Sequence, residues 1–249
     1  SLLLIAACGL LLVIPLLMLL PKLQATSASA HNELPNPAGK ALGGNWWEGF
    51  RSLATNPYLL GIAAFILLYV FINTFVYFEQ KNLLADFSRA ERTQILAGID
   101  GITNLLTFGL AFFATGRIVK RLGMSTGLAL MPVLVAVGFL ILAFAPLLTV
   151  LLAMQVVRRG GNYGLTRPAR EMLFTKVSEQ DRFKAKPVID VAVYRGGDAV
   201  SGTIFALLTD GLGLGLAAVA LVGAGIAGAW AWLGVQLGRV FDAVSGKAQ

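Results

Sequence analysis

Polar and charged side chains recur at helical spacing inside four segments that are otherwise apolar. The first segment carries Tyr69, Asn73, Tyr77 and Gln80, and the second carries Asp100, Thr103, Asn104 and Thr107. The third carries Gln155, Arg158, Arg159, Asn162 and Thr166, and the fourth carries Asp190, Tyr194, Asp198 and Ser201. Intervals of three, four, seven and eight residues put most of each set on one face of a helix. Such faces can bind a polar solute, pair charges or exchange protons.

Charged residues inside apolar segments need a partner or a function. A charge at the centre of a bilayer costs about 2.5–3.5 kcal/mol, so we expect Arg158 to contact an anion, and Asp198 and Asp100 to titrate. Arg195 lies three residues before Asp198 and is expected to neutralise it partly. For hydroxyl groups taken singly, such as that of Ser201, bonding between helices is the expected role.

Two groups of candidate residues follow from these faces. The candidate solute-binding residues are Arg158, Asn162, Tyr69, Asn73, Asn104 and Tyr194, and the candidate coupling or charge-pair residues are Asp100, Asp190, Arg195 and Asp198. Arg158 and Arg159 have no acid in their own segment. Their partner is Asp100, Asp190, a missing part of the chain or an anionic solute.

The composition predicts that the elements holding these residues are membrane helices. Hydrophobic residues make up 57% of the chain and charged residues 13%, whereas soluble domains carry about 25% charge. The apolar residues fall in blocks of roughly 18–25, the length of a helix that crosses a bilayer. We therefore predict an all-α membrane protein with a bundle of about seven transmembrane helices. They are placed at 2–20, 59–78, 95–115, 126–144, 147–165, 188–208 and 212–237.

The positive charge indicates orientation. Of the 20 Lys and Arg residues, 14 follow the first, third, fifth and seventh predicted spans, three follow the others, and three lie within spans. Because cytoplasmic loops are enriched in Lys and Arg, the larger group and the C-terminus are predicted to be cytoplasmic. The net charge of +7 thus reflects membrane topology, with lipid and not nucleic acid as partner. A bacterial inner membrane is the expected location.

The chain divides into four predicted regions. Residues 1–20 form a span, 21–57 a cytoplasmic loop, 58–238 a six-helix unit, and 239–249 a cytoplasmic tail. Because Ser1 already lies inside an apolar run, we expect the beginning of the protein to be missing. A short helix near 45–54, with Trp46, Phe50 and Leu53 at helical spacing, either lies on the membrane surface or is a simple aromatic anchor.

The sequence contains few residues that could carry out enzymatic chemistry. Cys8 and His31 are the only cysteine and histidine, which excludes a disulfide framework and a Cys/His zinc site. No nucleophile and base stand together, so we predict no enzyme, no metal and no cofactor. Gly223, Gly225 and Gly228 match a dinucleotide-binding pattern, but they lie in a continuous apolar run without a βαβ unit. Close helix packing explains them better.

One loop resembles a motif of the major facilitator superfamily. The sequence Gly116-Arg-Ile-Val-Lys-Arg-Leu-Gly123 is similar to the cytoplasmic loop between the eighth and ninth of that family's twelve helices. The resemblance implies that the seven spans are helices six to twelve, and that the four polar segments are helices seven, eight, ten and eleven, which line the solute cavity. It also implies that Gly116, Arg117, Arg121 and Gly123 latch the loop to helix ends or acids.

A narrower resemblance covers about 50 residues. Thr166-Arg-Pro-Ala-Arg-Glu171, Lys184-Ala-Lys-Pro-Val-Ile-Asp190 and Tyr194-Arg-Gly-Gly-Asp198 look like the ATP/ADP carrier branch and its bacterial relatives. Those exchangers tend to carry Arg-x-Gly-Lys where this chain has Arg195-Gly-Gly-Asp198. An acid in the place of a nucleotide-binding lysine favours a proton-coupling site or a different solute.

These observations together predict a secondary active transporter for a small solute. An anion is one candidate for this solute. Transport would proceed by alternating access, with two six-helix halves rocking around a site near the midplane. The missing N-terminal half would then be a partner of this chain. The alternative is a non-transporting membrane module, an accessory or sensor domain fused to another protein.

Overall fold

The computed structural model describes residues 47–246, and every regular element within them is helical. Its α-helices are α1 (Glu48–Thr55), α2 (Pro57–Leu83), α3 (Arg89–Gly109), α4 (Thr115–Phe144), α5 (Leu148–Gly161), α6 (Arg167–Leu173), α7 (Glu179–Pro187), α8 (Tyr194–Ala206) and α9 (Leu216–Gly246). Four π-helical segments lie at Leu110–Ala114, Asn162–Thr166, Val188–Val193 and Leu207–Gly211, and a 3-10 turn at Phe174–Lys176. The all-α prediction is confirmed for this part of the chain.

Within residues 47–246, four helical segments are long and apolar enough to cross a membrane, judged by length and composition. They are Pro57–Leu83, Arg89–Phe113, Thr115–Phe144 and Leu216–Val244. These match the second, third, fourth and seventh predicted spans and support an integral membrane protein. The fifth and sixth predicted spans are helical, but π-helical segments divide them into shorter helices. The predicted span at 2–20 lies outside the described residues, so the count of seven stays a prediction.

Small residues bring α4 and α9 into close contact, the most extensive pairing in the described bundle. A Cβ atom on Gly238 would overlap the Ser125 backbone, and one on Gly234 would lie 3.1 Å from the Phe65 ring of α2. The Phe65 ring also packs on Trp230, with centroids 5.5 Å apart. Glycines therefore let three apolar helices approach closely enough to bury their aromatic side chains.

Of the three glycines Gly223, Gly225 and Gly228 in α9, only Gly223 packs closely against another helix. A Cβ atom on Gly223 would lie 2.8 Å from the Phe139 ring, whereas Cβ atoms on Gly225 and Gly228 would meet nothing within 4 Å. All three glycines belong to one continuous α-helix. The packing interpretation thus holds for Gly223, while the other two glycines face outward.

Helix α1 overlaps the segment predicted to be amphipathic, and it lies against α7. The Ser52 hydroxyl donates to an Asp181 carboxylate oxygen at 3.1 Å, and the Lys184 ammonium donates to Glu48. The sequence pattern did not predict this contact, because the two helices are more than 120 residues apart. Trp47 remains 56% exposed, so a role for α1 at the membrane surface stays a prediction.

Candidate functional site

Two polar cavities lie among α2, α5, α6 and α8. We call the first the Arg158 cavity; it has a volume of about 400 Å³. Its lining includes Asn73, Tyr77, Gln155, Arg158, Arg159 and Asp198. The second, the Arg170 cavity, has a volume of about 370 Å³. Its lining includes Tyr69, Asn162, Arg167, Arg170, Tyr194 and Arg195, together with Tyr163 and Asp190.

The Arg158 guanidinium is buried and is held by neutral amides. Arg158 is 4% exposed; its Nη1 donates to Asn73 Oδ1 at 2.6 Å, and its Nε and Nη2 donate to Gln155 Oε1 at 3.2 and 2.5 Å. The Gln155 amide in turn donates to Gln80 on α2. Within the described residues, no carboxylate lies within ion-pair distance of Arg158. The Tyr69 hydroxyl is a further hydrogen-bond partner of Arg158, so one of the five N–H donors of the guanidinium is left for a ligand.

The neighbouring Arg159 has a partner on α3. Its Nη1 lies 2.5 Å from Asp100 Oδ1, which joins α5 to α3. Of the partners considered from the sequence, Asp100 therefore pairs with Arg159 and not with Arg158. The pair is partly open, with side-chain exposures of 36% for Arg159 and 56% for Asp100.

The expected pair of Arg195 and Asp198 does not form. No hydrogen bond or ion pair joins these two described residues, and their side chains line different cavities. Their spacing of three residues places them about one turn apart along α8, so each reaches a different level of the bundle. Asp198 faces Arg158 and Arg159 across the Arg158 cavity, without an ion pair to either within the described part of the chain.

The Arg170 cavity gathers several of the predicted site residues. Asn162 Nδ2 donates to the Tyr69 hydroxyl at 3.1 Å, and the Tyr69 and Tyr194 rings lie 6.5 Å apart. Asp190 Oδ1 lies 3.9 Å from Arg170 Nη2. Asn104, also predicted to bind solute, is exposed on α3 and lines neither cavity.

Sequence reasoning missed Arg167 and Arg170 as site residues. The fifth span was predicted to end at residue 165, so both were counted as charges of the following loop. In the structure the π-helical segment Asn162–Thr166 continues directly into α6, which carries both arginines to the cavity. Helical spacing from Tyr163 to Arg167 was the available signal.

The Arg170 side chain is also part of an ion-pair chain at the end of the bundle. Its Nη2 lies 3.0 Å from Glu171, which also binds Lys186 at 2.5 Å. Partial burial acts to raise the pKa of the Glu171 carboxyl, but the hydrogen bonds from Lys186 and Arg170 outweigh it and hold this pKa below its usual value. Glu171 is therefore a carboxylate at neutral pH, and it fixes Arg170 beside the cavity.

The loop motif occupies the beginning of α4. Gly116 has open space around its Cα, and Arg117 and Arg121 are exposed, with no ion pair or side-chain hydrogen bond among residues 47–246. Gly123 interrupts α4 with φ of 82°, a conformation that only glycine adopts without strain. A Cβ atom there would lie 3.5 Å from Asp242. Gly123 thus makes the turn, and the latch role of the two arginines stays a prediction.

Comparison with known proteins found no relative of this chain. Neither family models, nor curated proteins, nor solved structures give a match to this chain. Among the described residues, no group of His, Cys, Asp or Glu side chains could hold a metal ion. The two cavities therefore carry the chemical information about this site.

Proposed function

We propose that this protein is a secondary active transporter of the major facilitator type that moves a small anionic solute by alternating access. Residues 58–238 would be its C-terminal six-helix half, and residues 1–20 the helix before it, so that the seven predicted spans of this chain are helices six to twelve of twelve. Its place would be a bacterial inner membrane, with the C-terminus in the cytoplasm. The observation that carries the proposal is the Arg158 guanidinium, which is buried where α5 contacts α2 and has no carboxylate within ion-pair distance among the described residues.

A buried charge of this kind points to an anionic ligand. Removing an ion from water costs several kcal/mol even after the protein relaxes, and the amides of Asn73 and Gln155 stabilise the guanidinium but do not neutralise it. One of its N–H donors remains free beside a cavity of about 400 Å³. A carboxylate or phosphate oxygen would complete both the charge balance and the hydrogen bonds.

Asp198 is the candidate for coupling. Its side chain lines the Arg158 cavity without an ion pair in the described residues, so an entering anion would lie near both Arg158 and a carboxylate. The acid stands where the exchangers that this chain resembles tend to carry a lysine, which favours a proton-coupling role for Asp198. Proton and solute would then bind together, which is the requirement for symport.

The first experiment identifies the solute and then tests Arg158. The purified full-length protein is screened for ligands that raise its melting temperature, because a ligand that binds the folded state stabilises it. Uptake of each stabilising anion is then measured in proteoliposomes with an imposed pH gradient. Arg158→Gln is expected to abolish uptake, and Asp198→Asn to remove its dependence on the gradient.

Arg239→Gln is the matched control, since Arg239 is exposed on α9 and lines neither cavity. It changes the charge by the same amount and is expected to leave uptake intact. Unchanged uptake in Arg158→Gln would contradict the proposal. Anions that bind without any uptake would instead favour a non-transporting membrane module.

A further inference from the structure

We infer that the Arg170 cavity is a second anion site, distinct from the Arg158 cavity, and that it selects a small dianion. The inference rests on the proposed transport function, which it deepens by adding a binding step.

The two cavities are stacked along the bundle, one helical turn apart. On α2, Tyr69 lines the Arg170 cavity and Asn73, four residues later, lines the Arg158 cavity. The same offset of four residues joins Arg158 to Asn162, and Tyr194 to Asp198. Four residues correspond to about one turn of 5.4 Å. Three separate parts of the chain thus supply both cavities at the same spacing, which defines a common axis.

A hydrogen bond separates the two levels. Asn162 Nδ2 donates to the Tyr69 hydroxyl at 3.1 Å, linking α2 to the π-helical segment that follows α5. The Tyr69 ring is further fixed by Trp230, with centroids 5.6 Å apart. Tyr69 lines the Arg170 cavity and also contacts the Arg158 guanidinium, so this anchored bridge forms the boundary between the two cavities, whose linings have no residue in common.

The Arg170 cavity carries the charge of an anion site. Its lining has the guanidinium groups of Arg167, Arg170 and Arg195 and the single carboxylate of Asp190, a net of two positive charges. Among residues 47–246, neither Arg167 nor Arg195 has an ion pair or a side-chain hydrogen bond, so both retain all their donors. The Arg170 Nε is buried without a hydrogen-bond partner in the described structure.

These groups match a small dianion. The fork of N–H donors on each guanidinium fits the paired oxygens of a carboxylate or phosphate, and two negative charges balance the net charge of the lining. The volume of about 370 Å³ is near the lower end of the range for small-molecule sites. Phosphate and short dicarboxylates share this chemistry. The solute would occupy the Arg170 cavity and the Arg158 cavity at successive steps.

The test counts bound dianions on the purified full-length protein by equilibrium dialysis, with radiolabelled inorganic phosphate in one arm and succinate in the other. The wild type is expected to bind two equivalents of at least one probe. The double variant Arg167→Gln/Arg195→Gln and the single variant Arg158→Gln are each expected to bind one. Arg239→Gln, the control, should keep two.

The size of the effect follows from the bonds removed. Loss of one hydrogen bond to a charged group weakens binding about tenfold, so loss of both guanidinium groups weakens the second site about a hundredfold. Both arginines are exposed, so the melting temperature of the ligand-free double variant should stay at the wild-type value. A phosphate arm that binds and a succinate arm that does not would identify a phosphate site, and the reverse a dicarboxylate site.

Three outcomes overturn the inference: a wild type that binds neither probe, a wild type that binds one equivalent, or a double variant that still binds two. Failure of the transport proposal looks different. Two-site binding without uptake in proteoliposomes would remove transport and leave the second site. Uptake that needs Arg158, in a protein that binds one equivalent, would leave transport and remove the second site.

Discussion

The ion pair between Asp100 and Arg159 tests whether α3 lies in the membrane. Asp100 stands near the middle of the apolar helix Arg89–Phe113, yet this helix has only 11% of its apolar window buried, against 39–50% for the other three. The described residues therefore leave most of α3 uncovered, and we predict that lipid surrounds the Asp100–Arg159 pair. An exposed ion pair in water contributes about 0.2–1 kcal/mol, whereas a bare charge at the centre of a membrane helix costs about 2.5–3.5 kcal/mol.

The substitution Asp100→Asn leaves Arg159 without its partner at 2.5 Å. In lipid, we expect it to lower the free energy of unfolding by about 2–3 kcal/mol, close to the cost of an unpaired charge at that depth. Arg159→Gln should lower it by a similar amount. The double variant carries two neutral amides and should recover most of the loss. The coupling energy from the double-mutant cycle should then reach about 2 kcal/mol or more.

The assay is a reversible unfolding titration of the protein in bicelles at neutral pH, followed by far-ultraviolet circular dichroism. Asp86→Asn is the matched control, because Asp86 is exposed in the connection between α2 and α3. It should change stability by no more than about 0.5 kcal/mol. A coupling energy below about 1 kcal/mol would place the Asp100–Arg159 pair in water and refute the expectation that lipid surrounds this pair.

Further predictions concern packing and pH. Gly238→Ala should destabilise the protein by about 1–3 kcal/mol, because the added methyl group would overlap the Ser125 backbone. Gly228→Ala on the same helix is the control and should be neutral or stabilising by up to about 1 kcal/mol. Equal melting temperatures of the two variants would contradict the close contact between α4 and α9. The lowered pKa of Glu171 stabilises the fold above the ordinary glutamate pKa, and this contribution is lost as the pH falls through the folded value. The stability difference between wild type and Glu171→Gln should therefore shrink between about pH 5 and pH 3; a constant difference would show that Lys186 and Arg170 do not stabilise the carboxylate.

Hydropathy predicted the four long apolar helices of the described residues, and polar spacing predicted some of the contacts around the two cavities. The long apolar helices α2 and α9 follow directly from runs of apolar residues. Polar spacing predicted both Tyr69 and Asn162 as solute-binding residues, and their side chains form a hydrogen bond with each other. The expected bonding between helices is also seen for Ser201, whose hydroxyl lies 2.7 Å from Thr74 Oγ1. In each case the pattern is local to one helix, and burial requires its polar face to turn inward.

Contacts between distant segments could not be predicted in this way. Asp100 pairs with Arg159 and not with Arg158. Which of the two arginines it reaches depends on the position of α3 relative to α5, and this position cannot be derived from the spacing of residues within either helix. The docking of α1 on α7 through Glu48 and Lys184 has the same origin. Helical spacing states which residues share a face, but the distance between two faces is set by packing.

The π-helical segment Asn162–Thr166 explains how one run of helix reaches both cavities. An α-helix turns about 100° per residue, so Arg170, twelve residues after Arg158, would lie about 120° away around an uninterrupted helix. A π-helical turn takes about one residue more than an α-helical turn, and this residue reduces the offset to about 20°. Arg158 and Arg170 therefore lie on nearly the same face. A strict α-helical count excludes Arg170 from that face, so the second anion site depends on a local break in periodicity.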